Sequence, residues 1–116
     1  MWTVEFFPAF RAEAEAMPTE AREELAARAQ ILRLLGPAAK RPYVDTLKGS
    51  KHANMKELRF SAAGGVWRVA FAFDPSRSAI LLVAGNKSGA SEKTFYNRLI
   101  AIADRRFDTH LRESAR

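Results

Sequence analysis

The residues best suited to chemistry are two arginines and a lysine that accompany three successive β-like runs. Arg59 and Arg68 lie inside two of the runs, and Lys87 follows the third. Arginine stays protonated and its planar fork binds two phosphate oxygens at once, whereas lysine supplies a point charge. If they converge on one surface, these side chains could hold a phosphodiester and stabilise the charge that develops when it is attacked.

Strand alternation predicts the side that Arg68 takes. In the run from Val66 to Phe73, the odd-numbered residues from Trp67 onward are large and apolar, so we expect them to face packed helices. Arg68 belongs to the opposite set, whose other members are small. That set is predicted to form an open face, and an Arg68→Ala substitution is therefore expected to leave the fold nearly intact.

The preceding run, from Met55 to Phe60, gives the same division. Leu58 and Phe60 are predicted to enter the core, which leaves Glu57 and Arg59 on the open face. An arginine so placed has an ordinary explanation as well, since Arg59 could simply pair with Glu57 or Glu5.

Further basic and polar side chains flank this surface, in the loop that enters it and at the start of the last helix. The lysines among them would add an affinity that weakens with salt, Tyr96 could stack on a base or donate a proton, and His52 could exchange one. Alternatively, His52 is an exposed surface histidine and Tyr96 a helix-rim residue. The set comprises Lys48, Lys51, His52, Lys93, Tyr96 and Arg98.

Composition limits the chemistry further. The 116 residues include no cysteine and two histidines, which argues against disulfides, cysteine-ligated zinc, thiol catalysis and a histidine-rich metal site. We therefore expect no metal and no other cofactor. Hydrophobic residues make up 47% of the chain, enough for the core of one domain spanning residues 1–116.

Charge is distributed unevenly along the chain. The formal net charge is +6, and the excess of basic residues lies after residue 35, because residues 1–35 are net acidic. A basic excess confined to one part of a small domain indicates a polyanionic partner such as nucleic acid. The longest apolar run, from Ala79 to Gly85, is far below a membrane span, and no signal peptide is visible, so we expect a cytoplasmic protein.

The elements that must position these residues follow from periodicity and turn residues. A strand over Trp2–Phe7 and two helices, Phe10–Met17 and Thr19–Leu35, are followed by three hairpin-connected strands and a helix that begins at Ser91. The tail from Arg105 onward is expected to fray or to continue the helix irregularly. The order β-α-α-β-β-β-α predicts an α+β fold: a small antiparallel sheet with the helices packed on one face.

Several segments form a recognisable combination: Leu47-Lys48-Gly49, Lys56–Phe60, Gly65–Asp74, Ala79–Lys87, Lys93–Tyr96, Ala103-Asp104-Arg105 and His110-Leu111. Taken together, they resemble the RelE/ParE toxin superfamily, and within it the HigB-type, phage-derived branch. The resemblance covers the chain from about Lys40 onward, and the β-α-α start agrees with it.

The resemblance implies the toxin of a type II toxin–antitoxin system, acting as an mRNA endoribonuclease on the ribosome. The 2′-OH of RNA would attack the adjacent phosphate without a metal and leave a 2′,3′-cyclic phosphate. The implied partners are the ribosome with its mRNA and a helix-turn-helix antitoxin, through which operator DNA would be bound. No membrane partner is implied.

The resemblance also implies roles for individual residues. Arg59 and Arg68 lie on the strands that carry phosphate-stabilising residues in such toxins, and Lys87 follows the next strand. Tyr96 falls in the C-terminal segment that can hold an aromatic or basic catalytic residue, and Lys48 and Lys51 fall in the basic stretch that binds RNA. The general acid and base stay open among His52, Tyr96, Lys51 and Lys93. Two other functions remain possible on the same scaffold: a ParE-like gyrase inhibitor, which does not need Arg59, Arg68 and Lys87 to converge, and a non-catalytic nucleic-acid-binding module.

Overall fold

A computed structural model describes residues 1–115, which form five strands, three α-helices and a 3₁₀ turn over Gly36–Ala38. The strands are β1 (Thr3–Phe6), β2 (Val44–Thr46), β3 (Lys56–Ala62), β4 (Gly65–Phe73) and β5 (Ser78–Asn86). The helices are α1 (Pro8–Glu15), α2 (Thr19–Leu35) and α3 (Glu92–Ser114). The predicted α+β class and the predicted helices are confirmed, and each predicted strand is present with bounds shifted by a few residues.

The sheet is mixed, so the prediction of a purely antiparallel sheet is wrong at one edge. The strand order is β1-β5-β4-β3-β2, with β1 parallel to β5 and every other pair antiparallel. The N-terminal strand is far from β5 in sequence, and no hairpin constrains its direction. At the other edge, β2 pairs with β3 through Val44 opposite Leu58. Three residues were too few to show a strand period in the sequence.

Helices cover both faces of the sheet, which corrects the expectation that all of them pack on one face. α1 and α2 pack on the face formed by Leu58, Val69 and Phe71, together with partly buried Trp67. α3 packs on the opposite face, which includes the alanines of β4, Ala70 and Ala72. Their small side chains do not make an open face; instead they let a helix lie close against the strand.

The last helix is regular through Ser114, so the expected fraying of the tail does not occur in the described residues. Ser91 caps its start by accepting a hydrogen bond from the Thr94 backbone amide at 3.3 Å, as predicted. Leu99, Ala103 and Phe107 repeat at four-residue spacing and are buried against the sheet. Within residues 1–115, no helix combines the length and apolar character needed to cross a membrane.

Candidate active site

Two adjacent strands place Arg59 and Arg68 directly opposite each other. They are register partners in the antiparallel β3–β4 pair, so both side chains lie on the face that carries α3. Like charges at such positions destabilise a sheet unless something compensates them. The compensation comes from Glu57, two residues before Arg59 on the same face: Arg59 Nη1 donates to Glu57 Oε2 at 2.8 Å, and Arg68 Nε lies 3.8 Å from Oε1.

The first turns of α3 complete this group with Tyr96. Its hydroxyl donates to Glu57 Oε1 at 2.8 Å and accepts a longer bond from Arg68 Nε at 3.3 Å. We call Glu57, Arg59, Arg68 and Tyr96 the Glu57 cluster. Gly85 allows the helix to come this close, because a Cβ there would stand 2.7 Å from the ring of Phe95.

Burial separates the two arginines. The side chain of Arg59 is 21% exposed, whereas those of Arg68 and Glu57 are 8% and 4% exposed. The prediction of an open face is therefore wrong for Arg68, because α3 covers that position and Tyr96 stands over it. Arg59 is the arginine of the cluster that a ligand can reach.

Lys87 joins the group through the aromatic ring. Its Nζ lies 5.8 Å from the centroid of the Tyr96 ring and 3.0 Å from Glu92 Oε1. The hydrogen bond from Lys87 holds the pKa of the exposed Glu92 carboxyl below its usual value. The structure thus brings together four of the five residues predicted as catalytic: Arg59, Arg68, Lys87 and Tyr96.

A cleft of about 770 Å³ opens beside the cluster, between β2, β3 and the start of α3. We call it the basic cleft, because its lining holds four cationic side chains and three carboxylates, a formal excess of one positive charge. Two of the four predicted RNA-binding residues, Lys48 and Lys93, line it, whereas Arg98 is exposed elsewhere on α3. The lining residues are Arg41, Asp45, Thr46, Leu47, Lys48, Gly49, Glu57, Arg59, Glu92, Lys93, Tyr96, Asn97, Ile100 and Ala101.

His52 and Lys51 are not brought to the cluster. Both pair with Asp108, His52 Nε2 at 2.8 Å and Lys51 Nζ at 2.6 Å. Asp108 lies twelve residues beyond Tyr96 on α3, about 18 Å along the helix axis at 1.5 Å per residue. The hydrogen bond from Lys51 holds the pKa of the Asp108 carboxyl below its usual value. The sequence placed both residues correctly in a loop, but it could not show which part of α3 this loop would contact.

The ionisation of Tyr96 follows from its surroundings. Burial raises the pKa of the phenol, and the hydrogen bond to Glu57 together with that carboxylate's charge raises it further, against a smaller lowering by Arg68. Tyr96 therefore keeps its proton at neutral pH and acts as a hydrogen-bond donor. Among residues 1–115, no group of three His, Asp or Glu side chains is placed to hold a metal ion.

Glu57 is the functional candidate that the sequence prediction missed, since it was named there only as a possible partner of Arg59. Its signal was the spacing Glu57-Leu58-Arg59, which puts a carboxylate and a guanidinium on one face of a strand. The sequence could not show that Arg59 lies directly opposite Arg68, because this depends on the register of β3 and β4. Two arginines so placed require a shared anion.

The fold and the site define a small basic α+β protein, and comparison with known proteins places it more closely. The family model described as "Phage derived protein Gp49-like (DUF891)" matches residues 12–108. A Mycobacterium tuberculosis (strain ATCC 25618 / H37Rv) protein named "Putative toxin HigB3" is 42% identical over 96 residues, covering 83% of this chain and 82% of that protein. The chain belongs to this Gp49-like, phage-derived family.

Two further likenesses extend this result. "Putative toxin HigB2" from the same organism is 46% identical over 93 residues, which are 79% of this chain but 46% of that protein, so the chain spans about half of its length. The fold resembles a mutant of the E. coli toxin RelE in the free state, with a TM-score of 0.61 and 12% identity, over 86% of this chain and 94% of that one. The RelE-like fold expected from the sequence is confirmed.

Proposed function

We propose that this protein is the toxin of a type II toxin–antitoxin pair and cleaves mRNA on the ribosome. The observation that carries the proposal is the convergence of Arg59, Arg68, Lys87 and Tyr96 beside a basic cleft. The names of the two relatives in the same family support the toxin function.

Binding begins with the backbone of the RNA. Lys48 and Lys93 line the cleft and attract phosphates, with an affinity that falls as salt rises. Arg59 is the exposed arginine of the cluster, and its guanidinium binds two oxygens of the scissile phosphate. Arg68 is buried behind Tyr96 and does not reach the RNA. It contributes its positive charge to the site and donates a hydrogen bond to the Tyr96 hydroxyl.

The chemical step is an in-line displacement at phosphorus. The ribose 2′-oxygen forms a bond to the phosphorus as its proton passes to solvent, and the bond from phosphorus to the 5′-oxygen breaks. The products are a 2′,3′-cyclic phosphate and a 5′-hydroxyl end. Arg59 stabilises the negative charge that develops on the non-bridging oxygens. Tyr96, which is protonated at neutral pH, supplies the proton for the departing 5′-oxygen once its hydrogen turns away from Glu57, and its phenolate then regains a proton from solvent.

His52 has no part in this scheme, because its ring is committed to Asp108 on the far part of α3. The partners of the proposed toxin are the ribosome with its mRNA, and a helix-turn-helix antitoxin through which operator DNA is reached. Its place of action is the cytoplasm, where translating ribosomes are.

A gyrase inhibitor on the same scaffold is disfavoured. Such a protein acts by binding and has no need of a buried carboxylate that gathers two arginines and a tyrosine. The convergence of Arg59, Arg68 and Lys87, which a gyrase inhibitor does not need, supports the nuclease.

Primer extension on mRNA in a translating extract tests the proposal. Purified protein is expected to create new RNA ends that require active translation, and Arg59→Ala is expected to create about 100-fold fewer of them. Intact mRNA together with inhibited DNA supercoiling would overturn the nuclease in favour of the gyrase inhibitor.

A further inference from the structure

Glu57 is a buried carboxylate at the centre of a cationic group that is proposed to receive an anion. Its side chain is 4% exposed, and its two oxygens are occupied separately: Oε2 by Arg59 Nη1 and Oε1 by the Tyr96 hydroxyl, each at 2.8 Å. A buried carboxylate is costly unless its partners compensate it fully. It also repels the phosphate that Arg59 would bind. A residue with both drawbacks at this position calls for an explanation.

We propose that Glu57 is a positioning residue, which holds the guanidinium of Arg59 and the oxygen of the Tyr96 hydroxyl at the places from which they act, until the Tyr96 hydrogen turns to the substrate. It does so at the expense of affinity for RNA. This inference rests on the proposed function. It differs from a catalytic role, because Glu57 acts through its two neighbours and exchanges no proton with the substrate.

The geometry favours a carboxylate over other polar residues. Arg59 and Tyr96 both donate, so the residue between them must accept on two atoms. A carboxylate accepts on both of its oxygens, whereas a glutamine side chain presents one acceptor and one NH₂ donor. Glu57→Gln therefore keeps the shape of the site but must turn a donor towards Arg59 or Tyr96.

The register shows that the neighbouring strand offers no second acceptor at this position. Arg59 and Arg68 face each other across β3 and β4, and their charges repel. Opposite Glu57 itself stands Ala70, which has no polar atom in its side chain. Without the carboxylate, Arg59 is free to swing out into the basic cleft, which it lines.

The proposal predicts that affinity and rate move in opposite directions in Glu57→Gln. Removing one negative charge is expected to tighten RNA binding about two- to fivefold, the size of a screened charge interaction. The cleavage rate at saturating protein is expected to fall about 100-fold, because the reacting groups lose their alignment. Affinity is measured by fluorescence anisotropy with a single-stranded RNA that carries 2′-deoxy sugars, and rate by single-turnover cleavage of mRNA on programmed ribosomes.

The matched control is Glu24→Gln. It removes the same unit of charge from the surface of α2, on the opposite face of the sheet, where Glu24 pairs with Arg28. Its binding and cleavage are expected to match the wild type. A Glu57→Gln variant that binds more tightly and cleaves at the wild-type rate would overturn the proposal, since Glu57 would then only occupy the phosphate site.

A second variant guards against a local folding defect. Glu57→Asp keeps the charge but shortens the reach by one methylene, so it is expected to cleave slowly without binding RNA more tightly. Wild-type cleavage by this variant would contradict a role in alignment.

The pH profile separates positioning from proton transfer. In Glu57→Gln, the residual activity should keep the wild-type dependence on pH. Loss of the acidic limb of that profile would assign proton abstraction to Glu57 and overturn the positioning role.

A spectroscopic readout tests the contact without any cleavage. The chain has two tyrosines, so a Tyr43→Phe background isolates Tyr96 in an ultraviolet titration. Burial raises the pKa of Tyr96, and the hydrogen bond to Glu57 and its charge raise it further. Glu57→Gln is therefore expected to let the phenol ionise at lower pH. An unchanged titration would overturn the contact. A different result separates the two proposals. If Glu57→Gln shows the expected shift but the wild-type protein cleaves no mRNA, the proposed function is overturned and the Glu57–Tyr96 contact stands.

Discussion

Arg59 and Arg68 lie on the same face of the sheet, yet they differ in burial and therefore in role. Arg59 is partly exposed, whereas Arg68 is buried beneath Tyr96. Alternation along the strands correctly predicted that both would share a side with Glu57. It could not predict which of them would be buried, because that depends on where the first turns of α3 lie. The central position of Glu57 was hidden for the same reason, since two of its partners come from β4 and α3.

Replacing Arg59 with alanine is expected to lower mRNA cleavage about 100-fold, because one preorganised donor to the developing charge is lost. Arg59→Lys is expected to recover part of the rate, since lysine restores the charge but not the planar fork. Quantitative primer extension in a translating extract measures both variants. Arg22→Ala, on α2, serves as the control. Equal activity in Arg59→Ala and in the control would remove Arg59 from the site.

Replacing Arg68 with alanine is expected to destabilise the protein, contrary to the expectation from sequence alone. The side chain is 8% exposed, and its loss leaves the buried Glu57 carboxylate with one cation fewer. Breaking a buried pair in this way costs about 3 kcal/mol in free energy of unfolding. Urea denaturation measures the change, and a midpoint equal to that of the wild type would show that Arg68 does not support the cluster.

At the scale of elements, α3 links the core to the site. Its far part packs Ala103 and Phe107 against the sheet, while its start presents Tyr96 to the Glu57 cluster. The helix and its cap could be predicted from Ser91 and the apolar spacing. The face that it covers could not, because small residues on a strand are equally compatible with solvent and with a closely packed helix.

The cap of α3 offers a test at this scale. Ser91→Ala removes the acceptor for the Thr94 amide and is expected to lower the free energy of unfolding by about 1 kcal/mol. Because Tyr96 lies in the second turn, a frayed start is also expected to slow cleavage more than it weakens RNA binding. Urea denaturation and single-turnover cleavage measure the two effects. Unchanged stability would show that the cap hydrogen bond contributes nothing in solution.

At the scale of the whole molecule, the two helical layers are joined at one side of the sheet by an ion pair. Arg106 of α3 binds both carboxylate oxygens of Glu13 of α1, at 2.8 and 2.6 Å, and also donates to the Leu82 carbonyl at 2.8 Å. This pair could not be predicted from the sequence, because its members are 93 residues apart and belong to helices on opposite faces.

This ion pair predicts a dependence of stability on pH. The hydrogen bond from Arg106 holds the pKa of Glu13 below its ordinary value of 4.5, against a smaller opposing effect of burial. A lowered carboxyl pKa stabilises the folded state above the unfolded pKa, and this contribution is lost as pH falls through the folded pKa. Glu13→Gln should therefore be less stable than the wild type at neutral pH and converge with it in acid. Thermal unfolding across this range measures both, and a constant difference would contradict the pair.

The measurement that tests the account most directly is the chemistry of the RNA ends. An mRNA that is cleaved at one position on the ribosome is compared with the same mRNA carrying a 2′-deoxy sugar at the nucleotide before the cut. We expect a 2′,3′-cyclic phosphate and a 5′-hydroxyl from the first RNA and no product from the second. Cleavage of the 2′-deoxy RNA, or a 5′-phosphate on the product, would contradict it.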